Sequence, residues 1–210
     1  MAVQIIDYPS LLSASADWLN RGDLAEQLPA FVTLTEAQFN RELRLRDMMV
    51  RADATSADEN VALPDDWLEH YSLVVAPGGD TSIPPLRYMS EKESNQWKQV
   101  GLSGPPQGYT IIGNMIELVP APGANLDLKM VYYARIPSLN ATTQLTNWLL
   151  AKSPDLYLYS TLMQAAPYLR DDARMQSWSG IRGSLMEAMR VESEAAMRPR
   201  SQIVAMARAF

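Results

Sequence analysis

The stretch that decides the fold is SPDLYLYSTLMQAAPYLRDD, residues 153–172. It contains no charged residue between Asp155 and Arg170, and most of its positions are apolar. The uncharged run is shorter than the roughly 20 residues that span a bilayer. A helix that is apolar on every side packs inside protein. We therefore expect this helix to lie between other helices of the same chain.

The two ends of this helix carry recognisable signals. Ser153 is a good N-cap, and Pro154 suits the first turn, where its missing N–H costs nothing. The helix is predicted to run to about Leu169. Pro167 removes one backbone hydrogen bond and crowds the carbonyl group of Met163, so a kink is expected there.

Helical patterns recur on both sides of the central stretch. The segment Tyr8-Pro9-Ser10 opens a helix whose predicted apolar face comprises Leu11, Leu12, Ala16 and Leu19. A second helix starts at Pro29, and its predicted buried residues are Phe31, Val32, Leu34, Phe39 and Leu43. A C-terminal helix is capped by Asp171 and stopped by Pro199, with a predicted core stripe of Trp178, Ile181, Leu185, Ala188 and Ala195.

Two glycines interrupt the pattern of the C-terminal helix. Gly180 and Gly183 each cost about 1 kcal/mol in a helix interior relative to alanine. Their presence predicts that another backbone approaches closely at these positions.

The middle of the chain has sequence patterns typical of β-strands. NVALPDDWLEHYSLVV reads as strand, turn and strand, and PPLRYMS as a further short strand. Ser90 and Glu93 form a capping box for a helix over 91–99. YTIIGNMIELVP is a hairpin with its turn at Gly113-Asn114. The longer strand that follows alternates apolar residues, Leu126, Leu128, Met130 and Tyr132, with polar ones.

These patterns predict an α+β protein. Residues 1–47 and 141–198 form an α-helical bundle built from both ends of the chain, and residues 48–140 form an inserted, small antiparallel β-rich domain. Chain ends that meet in space around an insertion are a tolerated arrangement. Residues 199–210 form an extended C-terminal arm.

Composition excludes several classes of function. The 210 residues include no cysteine, which excludes disulfides and thiolate metal sites, and a reducing compartment is expected. The net charge of −6 argues against a generalised basic surface for nucleic acid. The N-terminus MAVQIIDYPS has no basic region before an apolar core, so no signal peptide is predicted.

One cluster has the residue types of an enzyme site. LPDDWLEH brings together Asp65, Asp66, Glu69 and the single histidine, His70, which could bind a divalent ion or perform acid–base chemistry. The alternative is a solvated turn beside buried apolar residues. No phosphate-binding loop, dinucleotide fingerprint or nucleophile elbow is present, and neither a metal nor a cofactor is predicted.

The C-terminal arm combines arginines with apolar residues. MRPRSQIVAMARAF has no carboxylate side chain, and a disordered tail would usually be less apolar. One interpretation is an arm that becomes ordered on a partner, through Arg198, Arg200, Ile203, Val204, Met206, Arg208 and Phe210. The other is a last helix or strand folded back on its own subunit.

Five segments, in order along the chain, carry a resemblance to a known family. They are ADWLNRGDLAEQLPAFVTLTEAQFNRELRLRDM, LPDDWLE, GYTIIGNMIELVPAP, LKMVYYARIPSL and TNWLLAKSPDLYLYSTLMQAAPYLRDDARMQSW. Together they closely resemble the head-to-tail adaptor proteins of short-tailed bacteriophages. The resemblance covers about residues 15 to 180, and the arm lies outside its strongest part.

The resemblance implies a structural virion protein at the head–tail junction, made in the host cytoplasm. It implies a homo-oligomeric ring, a dodecamer in the family, that docks under the portal protein after packaging and seals the neck. The ring offers a platform to a tail nozzle or tail fibre protein, and it surrounds genomic DNA without sequence-specific binding. The resemblance implies portal binding by the C-terminal arm through the position of the arm in the chain, and not through residues that match the family sequence. No membrane contact is implied.

A ring subunit also meets its neighbours, so Tyr157, Tyr159 and Tyr168 of the central helix are candidate intersubunit contacts. An acidic lumen would repel the DNA backbone and not bind it. Two alternatives stay open. One is a neck or tail-completion ring that does not touch the portal, and the other is a metal-dependent virion-associated hydrolase that uses the cluster around His70.

Overall fold

The computed structural model describes residues 4–76, 84–101, 104–169 and 172–198. Its helices are α1 (Tyr8–Leu19), α2 (Leu28–Glu42), α3 (Glu91–Val100), α4 (Trp148–Lys152), α5 (Pro154–Leu169) and α6 (Asp172–Met197). Its strands are β1 (Met49–Ser56), β2 (Asn60–Ala62), β3 (Trp67–Val75), β4 (Arg87–Tyr88), β5 (Gly108–Ile112), β6 (Met115–Val119) and β7 (Leu126–Ala134). The predicted α+β class is confirmed.

The chain separates into two compact units. The helical unit contains the residues up to Asp47 and from Ile136 onward, and the strand unit runs from Met48 to Arg135. The predicted return to the helices is at residue 141. The return comes earlier because the backbone N–H of Ile136 donates to Asn40 on α2, at 2.9 Å.

Helix α5 is the centre of the helical unit. It begins at Pro154, as predicted, and it contacts α1, α2, α4 and α6. Leu156 and Tyr157 are fully buried, as are Leu162 and Ala165. The helix continues through Pro167 and ends two residues later. Surrounding helices therefore account for the absence of charge along this stretch.

The buried faces of the outer helices agree with their predicted faces in part. Leu34, predicted to be buried, is 52% exposed, and Ile181 is 39% exposed. Phe31, Val32 and Phe39 of α2 and the following Leu43 are buried as predicted, and Thr35 and Glu36 are buried as well. Among the α6 residues whose side chains the structure describes, the buried ones are Trp178, Arg182, Met186, Met189 and Ser193. Trp178 is therefore buried as predicted, but the rest of the α6 stripe differs from the prediction and includes an arginine, which a purely apolar pattern omits.

Arg182 is tolerated in this stripe because it has a carboxylate partner. Its guanidinium donates to Glu42 on α2 at 2.6 Å. Burial alone would raise the pKa of Glu42, but hydrogen bonds from Arg182 and Gln38 and the charges of Arg182 and Arg190 lower it overall. The pair joins α2 to α6.

The glycines of α6 lie open in the single chain. A Cβ atom added at Gly180 or Gly183 would meet no atom within 4 Å. The prediction of a close backbone approach is therefore wrong within one chain.

In the part of the strand unit that the structure describes, the strands form two sheets. β1, β7 and β3 make an antiparallel sheet in that order, and β2, β6, β5 and β4 make the second. The two-residue strand β4 pairs parallel to β5, so the unit is not wholly antiparallel as predicted. Apolar side chains of both sheets form its core, among them Leu73, Tyr109, Leu118, Leu128 and Met130.

The capping box and the hairpin predicted in the strand unit are both present in the structure. Helix α3 begins with the Ser90–Glu93 capping box. β5 and β6 form the hairpin, and Gly113 takes the positive φ of 63° that its turn requires. Within the described residues, no helix has the length and apolar character needed to cross a membrane.

Candidate assembly surfaces

The C-terminal arm starts where α6 ends. Arg198 is exposed and lies 3.6 Å from Glu194 one turn earlier, a weak surface pair. The remaining predicted portal-binding residues, Arg200, Ile203, Val204, Met206, Arg208 and Phe210, lie outside the described residues. Their role stays a prediction.

Tyr157 does not suit the role of an intersubunit contact. Its side chain is fully buried, with 0% exposed, and its ring meets Phe39 edge-on at 5.2 Å. Its hydroxyl accepts a hydrogen bond from Asn147 at 2.7 Å. Position 157 faces the other helices of its own chain, so this candidate is withdrawn.

Tyr168 is exposed and Tyr159 is half-buried, and their role as intersubunit contacts stays a prediction. Tyr159 meets the ring of Trp18 on α1 edge-on, with ring centroids 5.6 Å apart. Tyr168 is 59% exposed and meets Phe31 at 5.8 Å. Both tyrosines are held at the surface by an aromatic neighbour, an arrangement that keeps a contact residue in place.

Trp18 is a surface residue outside the predicted contact residues. It is 51% exposed, although tryptophan is usually well buried. It lies beside the buried stripe of α1, which includes Leu11, Ala14 and Leu19. The available signal was a large aromatic residue placed off the apolar face of an amphipathic helix. Such residues are enriched in protein interfaces.

A buried polar network holds the segment that returns from the strand unit. Glu36 is only 3% exposed, and its carboxylate accepts from the N–H of Leu139 at 2.8 Å and from the hydroxyl of Tyr157 at 3.3 Å. Burial raises the pKa of Glu36, and these hydrogen bonds offset only part of that rise. Asn147 donates to the carbonyl of Pro137 and caps α4 by accepting from Leu150.

The cluster proposed for a hydrolase is divided among separate partners. Asp66 accepts a hydrogen bond from Tyr132 at 2.8 Å, and burial together with this contact raises the pKa of Tyr132 to about 12. The ring of His70 stacks on Tyr88, with centroids 4.4 Å apart. Asp65 and Glu69 are exposed. Among the residues that the structure describes, no three histidine or carboxylate side chains are grouped to hold a metal ion.

Comparison with known families gives the decisive observation. A family model described as SU10 adaptor protein matches residues 6–204. The chain belongs to the SU10 adaptor protein family. This is a bacteriophage head-to-tail adaptor family, and its member described here is a structural protein of the virion neck. No curated protein matches the chain.

Membership of the SU10 adaptor family also bears on the rival interpretation. A structural adaptor family implies a role without catalysis. The separate partners of Asp66 and His70 give no support to the metal-dependent hydrolase.

Proposed function

We propose that this SU10 adaptor forms a closed ring under the portal of a short-tailed bacteriophage. The ring seals the neck after packaging, presents a platform to the nozzle or fibre protein of the tail, and leaves a conduit for DNA ejection. The observation that carries the proposal is the family match, which runs from residue 6 to residue 204. The resemblance of the sequence to adaptors of short-tailed phages supports the finer assignment, including a dodecamer.

A ring needs a heterologous contact, in which two different surfaces of each copy meet and the rotation closes. The exposed aromatic residues of the helical unit support such a contact. Trp18 and Tyr168 are each more than half exposed, and the ring of Tyr159 lies against Trp18. We assign Tyr159, Tyr168 and Trp18 to the surfaces between neighbouring copies.

The C-terminal arm is assigned to the portal. Its composition supports this assignment, because Arg200 and Arg208 flank apolar residues that a partner can bury. Arginine forms bidentate hydrogen bonds with carboxylates, so an acidic groove between apolar surfaces is the partner chemistry expected on the portal.

The charge of the chain suits a conduit for DNA. The net charge is −6, and the resulting field repels phosphate groups. Genomic DNA would therefore pass through the ring without being held by it.

The experiment that tests this function removes residues 199–210. We expect the shortened chain to fail to form a ring on purified portal, because the arm supplies the portal contact. Thermal unfolding should change little, because the helices and strands described above end at Met197. Assembly is measured by sedimentation of portal mixed with adaptor, and unfolding by circular dichroism.

A matched control replaces residues 199–210 with a glycine–serine segment of the same length. It should behave like the shortened chain, which separates the chemistry of the arm from its bulk. Full docking of either variant would contradict the assignment of the arm, because the portal contact would then lie elsewhere on the chain. Failure of the natural chain to dock would favour a neck ring that does not touch the portal.

A further inference from the structure

Helix α6 has an exposed face without charge. Its members recur at spacings of three and four residues, and all are exposed: Ser177, Gly180, Ser184, Ala188, Val191 and Ala195. We call them the open face of α6. Val191 is 56% exposed, and a Cβ atom added at Gly180 would meet no atom within 4 Å. The solvent side of a surface helix usually carries charged residues, so an uncharged side indicates a protein partner.

The open face of α6 points away from helix α2 of the same chain. Arg182 donates to Glu42 of α2, and the N–H of Arg46, after α2, donates to the hydroxyl of Ser193 at 2.8 Å. Successive residues of a helix are about 100° apart around its axis. Arg182 and Ser193 therefore lie on the opposite side of α6 from its open face, which is left to a partner outside the chain.

Helix α2 has an exposed face of its own, on the other side of the helix from the buried Val32 and Phe39. The members of this open face of α2 are Ala30, Thr33, Leu34, Ala37 and Arg41. Leu34 is the large apolar side chain among them. The exposed Tyr168 meets Phe31, about one turn before Leu34, so this face continues into the aromatic residues assigned above. A partner for α2 therefore needs room for a leucine side chain.

The two open faces match in charge and in spacing. Arg41 and Glu187, which borders the open face of α6, are exposed and form no ion pair with any residue that the structure describes. Leu34 precedes Arg41 by seven residues, and Gly180 precedes Glu187 by seven. Seven residues of helix are about 10.5 Å long. Two parallel helices can therefore bring Leu34 against Gly180 and Arg41 against Glu187 together.

The directions of the two helices suit such a pairing between copies. The contacts of Arg182 with Glu42 and of Ser193 with Arg46 advance in the same direction along both segments, so α6 runs alongside α2 in the same sense. Copies in a closed ring are related by rotation, so corresponding helices of neighbours differ in direction by no more than that rotation. Shallow crossing angles of about 20° are a common class of helix packing.

We propose that the open face of α2 in one copy packs against the open face of α6 in the next, with Leu34 over Gly180 and Arg41 paired with Glu187. The second copy as partner rests on the proposed function, since a closed ring joins two different surfaces of neighbouring chains. The missing Cβ at Gly180 lets the two helix axes approach toward the lower end of the usual range of about 8–10 Å. Gly180 therefore has a role in assembly that the single chain does not show.

Disulfide trapping in the presence of purified portal tests this contact on the full chain, because the natural sequence has no cysteine. A Leu34→Cys chain is mixed with a size-tagged Gly180→Cys chain under mild oxidation. We expect a heterodimer in at least fivefold higher yield than from Leu34→Cys mixed with Ser179→Cys. Ser179 is also exposed, but it lies about 100° around α6 from Gly180. Homodimers of either single variant should be rare, because two different faces meet.

Charge reversal tests the ion pair. Arg41→Glu and Glu187→Arg each place like charges opposite one another, so each should lower ring assembly on the portal at least threefold, as measured by sedimentation. A chain with both changes should recover at least half of the natural assembly, which a folding defect would not allow. Arg51→Glu and Glu26→Arg make the same changes in net charge at exposed sites elsewhere and should leave assembly unchanged.

Three results would overturn the contact between α2 and α6. They are equal heterodimer yields from Gly180→Cys and Ser179→Cys, undiminished assembly of the two charge-reversed chains, and no recovery when both changes are combined. A ring on the portal without the specific heterodimer removes this contact alone. The specific heterodimer from chains that do not attach to the portal removes the portal ring alone, and the absence of both removes both.

Discussion

At the scale of single residues, the buried carboxylate of Glu36 is held by neutral groups. It accepts from the backbone of Leu139 and from the hydroxyl groups of Ser138 and Tyr157. A buried charge that is stabilised only by neutral donors keeps part of its desolvation cost. Glu36 therefore holds the segment around Leu139 that follows β7. Its buried charge lowers the stability of the chain at neutral pH.

Replacing Glu36 with glutamine should remove this pH dependence. The folded chain raises the pKa of Glu36, so its contribution to stability is fully present below the pKa in the unfolded chain and is lost as the pH rises through the pKa in the folded chain. Each unit of the rise is worth about 1.4 kcal/mol. As the pH rises above the ordinary glutamate pKa of 4.5, the free energy of unfolding of the natural chain should fall relative to that of Glu36→Gln.

Urea unfolding at a series of pH values measures this difference. Glu187→Gln, at an exposed site on α6, makes the same change in charge and should leave the pH dependence of stability as it is in the natural chain. Parallel curves for the natural chain and Glu36→Gln would contradict the role assigned to the buried carboxylate.

Sequence reasoning at this scale recognised residue types but not their orientation. Tyr157 and Tyr159 belong to the same uncharged stretch, yet Tyr157 is fully buried and Tyr159 meets the exposed Trp18. An apolar periodicity places a glutamate such as Glu36 on the solvent face of an amphipathic helix. Its burial follows from donors more than 100 positions away, which no local pattern reveals.

At the scale of elements, helix α6 combines a narrow buried stripe with two open glycines. Gly180 and Gly183 lie in the helix interior, and neither is crowded by other parts of the chain. Glycine loses more backbone freedom on folding than alanine does. Each glycine therefore lowers the stability of the single chain, and no packing contact within the described residues offsets this loss.

Alanine at these two positions should stabilise the isolated chain. We expect Gly180→Ala and Gly183→Ala each to raise the free energy of unfolding by about 1 kcal/mol, as measured by chemical denaturation. Ser184→Ala, at an exposed position of the same helix, serves as a comparison, with a smaller gain because serine already has a Cβ. A loss of stability in either glycine variant would show that the space beside α6 is filled.

Element starts were predictable because their signals are local. The capping box at Ser90 and the proline at position 154 each act within one turn of helix. The faces of the helices were less predictable. Leu34 and Ile181 fit an apolar period, but the neighbours of each helix decide which side is covered, and both residues are exposed.

At the scale of the whole molecule, the chain leaves a helical unit, builds a strand unit and returns to the helices. The change from helical to strand-like sequence patterns near residue 48 predicted where the chain leaves the helical unit. The return at Ile136 and the parallel pairing of β4 with β5 depend on contacts between distant segments, which a single sequence does not show. The family match and the exposed aromatic residues support the proposal that the chain packs against copies of itself.

The central claim is that this SU10 adaptor assembles as a ring on the portal. Electron cryo-microscopy of the purified full chain mixed with purified portal tests it most directly. The account predicts a closed ring of adaptor copies on one face of the portal, with density for residues 199–210 reaching the portal surface. Single adaptor chains beside bare portal particles, or a ring whose C-termini point away from the portal, would contradict it.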